Sequence, residues 1–464
     1  MIRAREVSPV EVMLAHLQRI EVVNPRLNAI VTLAPDALER ARDAESELMR
    51  AELKGALHGV PVTVKDTIDT QGLRTTCGSR LRAGHVPSID AAAVAQLKAA
   101  GAIVLGKTNV AELALTYEAE NPVFGRTNNP HDLRLTPGGS SGGEAAAISA
   151  CLSPAGLGSD LMGSIRVPAH FCGILGLKPT TGRVDGAGHT PPTIGALSLG
   201  AVIGPMARCV EDLSLLLGVL GEGGAAESFD ARVGQRALDA STLRGCRVAW
   251  YAADGVVPVN EETLDALKRV AHALKDAGLV VKEERPPGVE RGPELWTKLF
   301  ARAAANYLRR FYEGLEREAG ADARFLLASA AAADSAPPLL DDFLLAWDER
   351  DCLRAALLEW MKETPLIVAP VGAVEAFAHG ARKVRVEEQT LSVFRAFGYA
   401  QTYNVYGLPS ASVPAGRTRE GLPIGVQIIG RPFAEGTVLA AARIVESALG
   451  GWTQPAEERM NAER

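Results

Sequence analysis

Two hydrophobic periods alternate along the chain. Near the start, Ser8, Pro9 and Glu11 form a capping box with proline at the first helical position, and Val10, Leu14, Leu17 and Ile20 follow at helical spacing. The pattern predicts a helix from about Pro9 to Val22, and a second helical run covers about Asp36 to Arg50. Residues 1–50 are thus expected to be peripheral helices packed on a core made later. In HGVPVTVKDTID the period shortens to two, with Val60, Val62 and Val64 alternating with Pro61, Thr63 and Lys65 as in a buried strand. That period sends Lys65 and Asp66 to opposite faces, so Asp66 need not neutralise Lys65.

Asp90 is placed to cap a helix, AAAVAQLKAAG, that leads into a strand, AIVLGKTN, and this β-α-β rhythm argues for an α/β sheet. Further strands are expected at CRVAWYA, LVVKEE, LIVAP, SASVPA and GVQIIG, with helices between them at Asn260 to Ala277 and Gly436 to Leu449. One sheet with strands from both ends of the chain follows, which makes residues 1–464 a single domain. Between about Gly292 and Glu363 the pattern turns to alanine- and leucine-rich helix, expected to be an inserted layer beside a substrate entrance.

Composition narrows the function. With 464 residues, 47% hydrophobic and 22% charged, the chain has the make-up of a globular protein with an extensive core. A net charge of −6 without a basic run argues against nucleic acid as a partner. No apolar run approaches the roughly 18 residues of a membrane span and the first residues carry no leader pattern, so a cytoplasmic location is expected. Six scattered cysteines and eight histidines show neither Cys-x-x-Cys nor His-Glu-x-x-His, which argues for free thiols and against zinc. His170, near the glycine-rich region, reads as a structural histidine.

The candidate chemistry lies between Pro137 and Pro168. Gly138, Gly139, Ser140, Ser141, Gly142 and Gly143 precede a helix-forming run from Glu144 to Leu152, which Pro154 stops, and a second Gly-Ser pair follows at Gly163 and Ser164. SIRVPAHFCG can begin a helix, whose free N–H groups suit a developing oxyanion. Both overlapping Gly-x-Ser-x-Gly runs match the nucleophile elbow of α/β-hydrolases, but the approach NPHDLRLTP carries Pro130 and Pro137 and is a poor strand. A P-loop and a Ser-x-x-Lys pair are also absent. A serine nucleophile without histidine needs another base, and a lysine made neutral by burial can serve. Lys65, on an apolar strand, fits, and paired serines could relay the proton.

These residues bring the chain close to a known family. HGVPVTVKD, GKTN, NPVFGRTNNP, TPGGSSGGEAAA, GSDLMGSIRVPAHFCGILGLKPT, GLPSASVP and GLPIGVQIIG, in this order, resemble the amidase signature family over nearly the whole chain. The resemblance implies a large mixed, twisted β-sheet covered by helices on both faces. It assigns Ser164 as acyl-enzyme nucleophile, Ser140 as a bridging serine preceded by a cis peptide, and Lys65 as base. The backbone N–H groups of Leu161, Met162, Gly163 and Ser164 match the oxyanion hole, and Ala114 matches a substrate-contacting position. Ser141, Asp160 and Arg166 are expected to support this machinery, the last two by bracing the nucleophile's loop.

Two departures stand out. Where the family shows two glycines before the nucleophile, this chain has Met162 and Gly163. A positive φ at Met162 would strain it, whereas a negative φ keeps its N–H in the hole and merely narrows the acyl pocket. Related chains also carry residues before the segment resembling RAREVSPVEV, so the expectation is that a first helix is missing here or the start codon is misplaced, and that catalysis does not depend on it. The expected function is an amidase acting on a small-molecule amide without metal or cofactor, with a homodimer as one option. The alternatives are the ammonia-releasing A-type subunit of a glutamine-dependent amidotransferase, and a non-catalytic relative impaired by Met162.

Overall fold

The computed structural model describes residues 1–221, 240–333 and 340–457. Eleven of the strands form one mixed sheet. In chain order they are β1 (Ile30–Leu33), β2 (Pro61–Lys65), β3 (Ile103–Thr108), β4 (Ala155–Asp160), β5 (Leu175–Lys178), β6 (Val202–Ala207), β7 (Arg247–Trp250), β8 (Val280–Glu283), β9 (Leu366–Pro370), β10 (Ser410–Arg417) and β11 (Pro423–Ile429). Their spatial order is β1-β3-β2-β4-β6-β5-β10-β11-β9-β7-β8, so strands from the two halves of the chain meet in the middle of the sheet, at β5 and β10. Strand β2 runs parallel to both neighbours, β3 and β4, which brings the carboxyl ends of β2 and β4 side by side. Crevices outside such ends are where open α/β sheets place ligands.

Helices cover both faces. On one, Val62, Val64, Leu157 and Val426 pack with Val94 and Leu97 of α3 (Ala92–Ala99), Leu213 of α6 (Val210–Leu220), Leu267 of α7 (Glu261–Asp276) and Val445 of α13 (Glu435–Leu449). On the other, Ile103 and Leu105 pack with α1 (Pro9–Leu27), α2 (Ala37–Met49) and the alanines of α4 (Gly142–Ser149). The capping box at Ser8 and Glu11 is present, and α1 runs one turn past the expected end. All five residues of β2 are buried, because the Pro61, Thr63 and Lys65 face meets protein as well, on the side where Thr63 donates to Glu144 of α4. An alternating pattern here marks two different covered faces rather than a wet and a dry one.

The expected strands and helices of the C-terminal half are all present. Asp90 does not cap α3: it accepts instead from Gln71 N and pairs with Lys98, and the helix starts two residues later at Ala92 without a side-chain cap. The segment 292–363 is a helical layer made of α8 (Gly292–Trp296), α9 (Arg302–Phe311), α10 (Ala321–Ala333) and α11 (Leu340–Trp360), apart from 334–339, which lie outside the described residues. Among the described residues no helix is long and apolar enough to cross a membrane.

Candidate active site

The parallel pair β2 and β4 sets the base. Lys65, the last residue of β2, is fully buried, and its Nζ lies 2.7 Å from Ser140 Oγ, 3.0 Å from Ser159 Oγ and 3.4 Å from the Ser159 carbonyl oxygen on β4. Among the described residues no carboxylate pairs with it, and Asp66 is turned elsewhere, its Oδ2 accepting from the backbone and hydroxyl of Thr76. Burial pulls the Lys65 amine down to about 7, against the opposing pull of Asp160, Cys77 and Glu144. A large fraction is therefore neutral near neutral pH, as a lysine base requires.

Ser140 stands at the tip of the glycine-rich segment, just before α4. The Gly139–Ser140 peptide is cis, as the family resemblance implied. A side chain at Gly139 would collide with the Glu118 backbone, so the turn closes only with glycine there. No strand leads into this serine, which separates the site from a nucleophile elbow. Ser141 ties the turn to its surroundings: its N–H donates to Ser164 O (3.2 Å) and its hydroxyl to Ser159 O (3.3 Å).

Ser164 lies two residues before α5 (Arg166–Cys172), a short helix that starts later than SIRVPAHFCG alone indicated. Its loop is locked by Asp160, whose carboxylate accepts from Gly163 N (2.8 Å), Ile165 N (3.1 Å) and the Arg166 guanidinium (3.0 Å). Arg166 also donates to Gln427 and to Asn404 of α12 (Gly398–Val405), and the whole cluster is buried. Burial alone would raise the Asp160 carboxyl, but the Arg166 charge and hydrogen bonds hold it well below the usual carboxylate range. Asp160 and Arg166 thus tie the loop of Ser164 to the strands behind it.

The loop's peptide groups differ from expectation at one place. Gly163, at φ +106°, spends its N–H on Asp160 and so is not an open oxyanion donor. The N–H groups of Leu161, Met162 and Ser164 have no partner among the described residues, and these three residues line the cleft. Their loop is turned by two long-range bonds, Trp296 Nε1 to Leu161 O (2.8 Å) and Tyr117 OH to Met162 O (2.7 Å). Met162 itself does not take positive φ, so methionine sits there without backbone strain, and its side chain borders the cleft.

One cleft of about 690 Å³, measured out to its open mouth, contains Ser140, Ser159, Ser164, Leu161, Met162 and Ala114 in its walls. Ala114 and its neighbour Leu113 both adopt left-handed backbone, at φ +61° and +50°. Sequence reasoning missed Ser159, His189, Tyr117 and Trp296. His189 lies on the loop after β5 with Nε2 2.8 Å from Ser159 Oγ, and the only signal it gave was its place in a Gly-His-Thr-Pro-Pro turn. His170 is structural: Gly425 N donates to its Nδ1 (2.6 Å) and its Nε2 donates to Val374 O (3.1 Å). Among the described residues no group of three or more His, Cys, Asp or Glu side chains is placed to hold a metal ion.

A mixed eleven-stranded sheet with a buried lysine and two turn serines at one cleft defines a carbon–nitrogen hydrolase fold of the amidase signature type. The model of the Amidase family matches residues 11–439, and the chain belongs to that family. It is 34% identical to the A-type subunit of the glutamyl-tRNA(Gln) amidotransferase of Carboxydothermus hydrogenoformans, over 96% of this chain and 95% of that protein. Among solved structures it is similar to a bacterial aryl acylamidase of the amidase signature family (TM-score 0.85, 25% identity, 99% and 96% of the two chains). It is similar also to 6-aminohexanoate cyclic dimer hydrolase complexed with substrate (TM-score 0.83, 27% identity, 98% and 96%).

Proposed function

We propose that the protein hydrolyses an uncharged carboxylic amide to an acid and ammonia or an amine, through an acyl-enzyme on Ser164. One observation carries the reading: a buried lysine without a carboxylate partner among the described residues lies 2.7 Å from Ser140 Oγ, on the cleft that Ser164 also lines. Neutral Lys65 takes the Ser140 proton as Ser140 takes that of Ser164, and Ser164 Oγ bonds to the amide carbon. The carbonyl electron pair moves onto oxygen, where the N–H groups of Leu161, Met162 and Ser164 stabilise it. The C–N bond breaks as Ser140 passes its proton to the leaving nitrogen and regains one from Lys65. Water then repeats the sequence at the acyl carbon and releases the acid. No step calls for a metal or cofactor.

The similarity to A-type amidotransferase subunits favours a second reading, ammonia release from glutamine for a partner enzyme. The cleft chemistry weighs against it. Asp160 is the one charged side chain among the described residues lining the cleft, and its oxygens are already taken by Arg166 and the loop's N–H groups. The α-ammonium and α-carboxylate of glutamine would find no free counter-charge there, and burying unpaired charge is costly. The test is to offer the purified protein, alone, benzamide, an acylated aniline and glutamine. Ammonia or aniline release from the uncharged amides is expected, with none from glutamine. Glutamine hydrolysis that requires an added partner protein would decide for the second reading.

A further inference from the structure

We infer that His189 is a positioning residue for the base: it takes the hydroxyl proton of Ser159 and thereby leaves the free electron pair of Lys65 to Ser140. The inference rests on the Lys65–Ser140–Ser164 reading above. It follows from counting hydrogens along a chain of three contacts. His189 Nδ1 is 2.7 Å from Pro191 O, and a carbonyl only accepts, so Nδ1 carries the proton. A neutral imidazole then has a bare Nε2, which lies 2.8 Å from Ser159 Oγ and can only accept. Burial, with Lys65 and Lys107 adding to it, pulls the imidazole down to about 4 and keeps it neutral.

Ser159 has one proton, and it goes to His189. Its oxygen, 3.0 Å from Lys65 Nζ, can then only accept, and so can its carbonyl oxygen at 3.4 Å. A neutral amine has two N–H bonds and one electron pair. With both hydrogens drawn to Ser159, the pair is left facing Ser140 Oγ at 2.7 Å, the hydroxyl it must deprotonate. Without His189 the Ser159 hydroxyl is free to donate to that same electron pair and block the base. The histidine is itself held in place: its backbone N–H donates to Gly186 O (3.3 Å), and the backbone N–H of the next residue, Thr190, donates to Thr67 O (2.8 Å). The other titratable groups acting on this pair are Asp160, Cys77 and Glu144 toward Lys65, and Lys107 toward His189.

The experiment measures the rate of fluorophosphonate labelling of Ser164 against pH, in the full chain, for wild type, His189→Leu, His189→Gln, Ser159→Ala and the Ser159→Ala/His189→Leu double variant. Circular dichroism checks that each is folded. His189→Leu should lower the plateau rate about 10- to 100-fold, the scale of a misdirected general base. The midpoint of its pH profile should stay or fall, because Ser159 donating to the amine favours the neutral form. Water entering a disrupted site would raise that midpoint instead. Glutamine at 189 can accept the Ser159 proton through its side-chain oxygen, so His189→Gln should recover most of the rate. With Ser159 replaced by alanine there is no hydroxyl left to compete, and the effect of His189→Leu should vanish. A wild-type plateau in His189→Leu, or the same fold-loss in both Ser159 backgrounds, overturns the inference. A wild-type label that maps to a residue other than Ser164 removes the Lys65–Ser140–Ser164 reading itself, and the inference with it.

Discussion

Replacing Lys65 with methionine should make the protein more stable while it abolishes activity, and the gain should disappear with rising pH. Holding the amine at about 7 in the folded chain rather than its ordinary 10.5 costs on the order of 5 kcal/mol at pH 7, at about 1.4 kcal/mol per pH unit. Methionine fills a similar volume without that cost. It loses the hydrogen bonds to Ser140 and Ser159, about 1 kcal/mol each, which leaves a net gain of about 3 kcal/mol. Between about 7 and 10.5 the unfolded chain binds a proton at Lys65 that the folded chain does not, so wild-type stability rises with pH across this window. Two pH units return about 3 kcal/mol to the wild type, so the two proteins should be about equally stable near pH 9. Urea unfolding of both, followed by tryptophan fluorescence at pH 7, 8 and 9, measures the gap. Parallel stabilities at all three values, or a methionine variant less stable than wild type at pH 7, would refute the burial account of the base.

Three further outcomes follow from the loop around the nucleophile. Met162→Gly should give no large gain in kcat, because Met162 does not hold positive φ; wider acyl groups should instead bind better, read as a lower KM. Gly163→Ala should lose most activity and about 1–3 kcal/mol of stability, since φ is +106° and the new Cβ would lie 2.6 Å from that of Ala400; wild-type turnover would contradict this. Arg166→Met leaves the Asp160 carboxylate buried without its cation and should cost about 3–5 kcal/mol, visible as a large drop in thermal midpoint; an unchanged midpoint would show that the brace adds nothing.

The parts of this fold legible in the sequence are those written in local pattern. The capping box at Ser8, the valine alternation before Lys65 and the paired glycine–serine turns are each properties of a few consecutive residues, and each has its counterpart in the structure. Strand β4 escaped notice because AGLGSD has two glycines and no alternation, being enclosed on both faces by other elements. Without it, Ser159 had no position, and the contact between Ser159 and His189 spans 30 residues that no periodicity links. The Gly163 amide, read from the sequence as an oxyanion donor, illustrates the same point: which N–H is free depends on where the Asp160 carboxylate lies, and that is set by Arg166 six residues on, itself held by Gln427 and Asn404 from distant segments.

Every chemical step proposed for this cleft passes through Ser164 as the nucleophile. Fluorophosphonate treatment of the purified protein, followed by peptide mapping, should place the label on Ser164, and Ser164→Ala should take no label and turn over no amide while remaining folded. Label on Ser140 or Ser141, or activity that survives in Ser164→Ala, would contradict it.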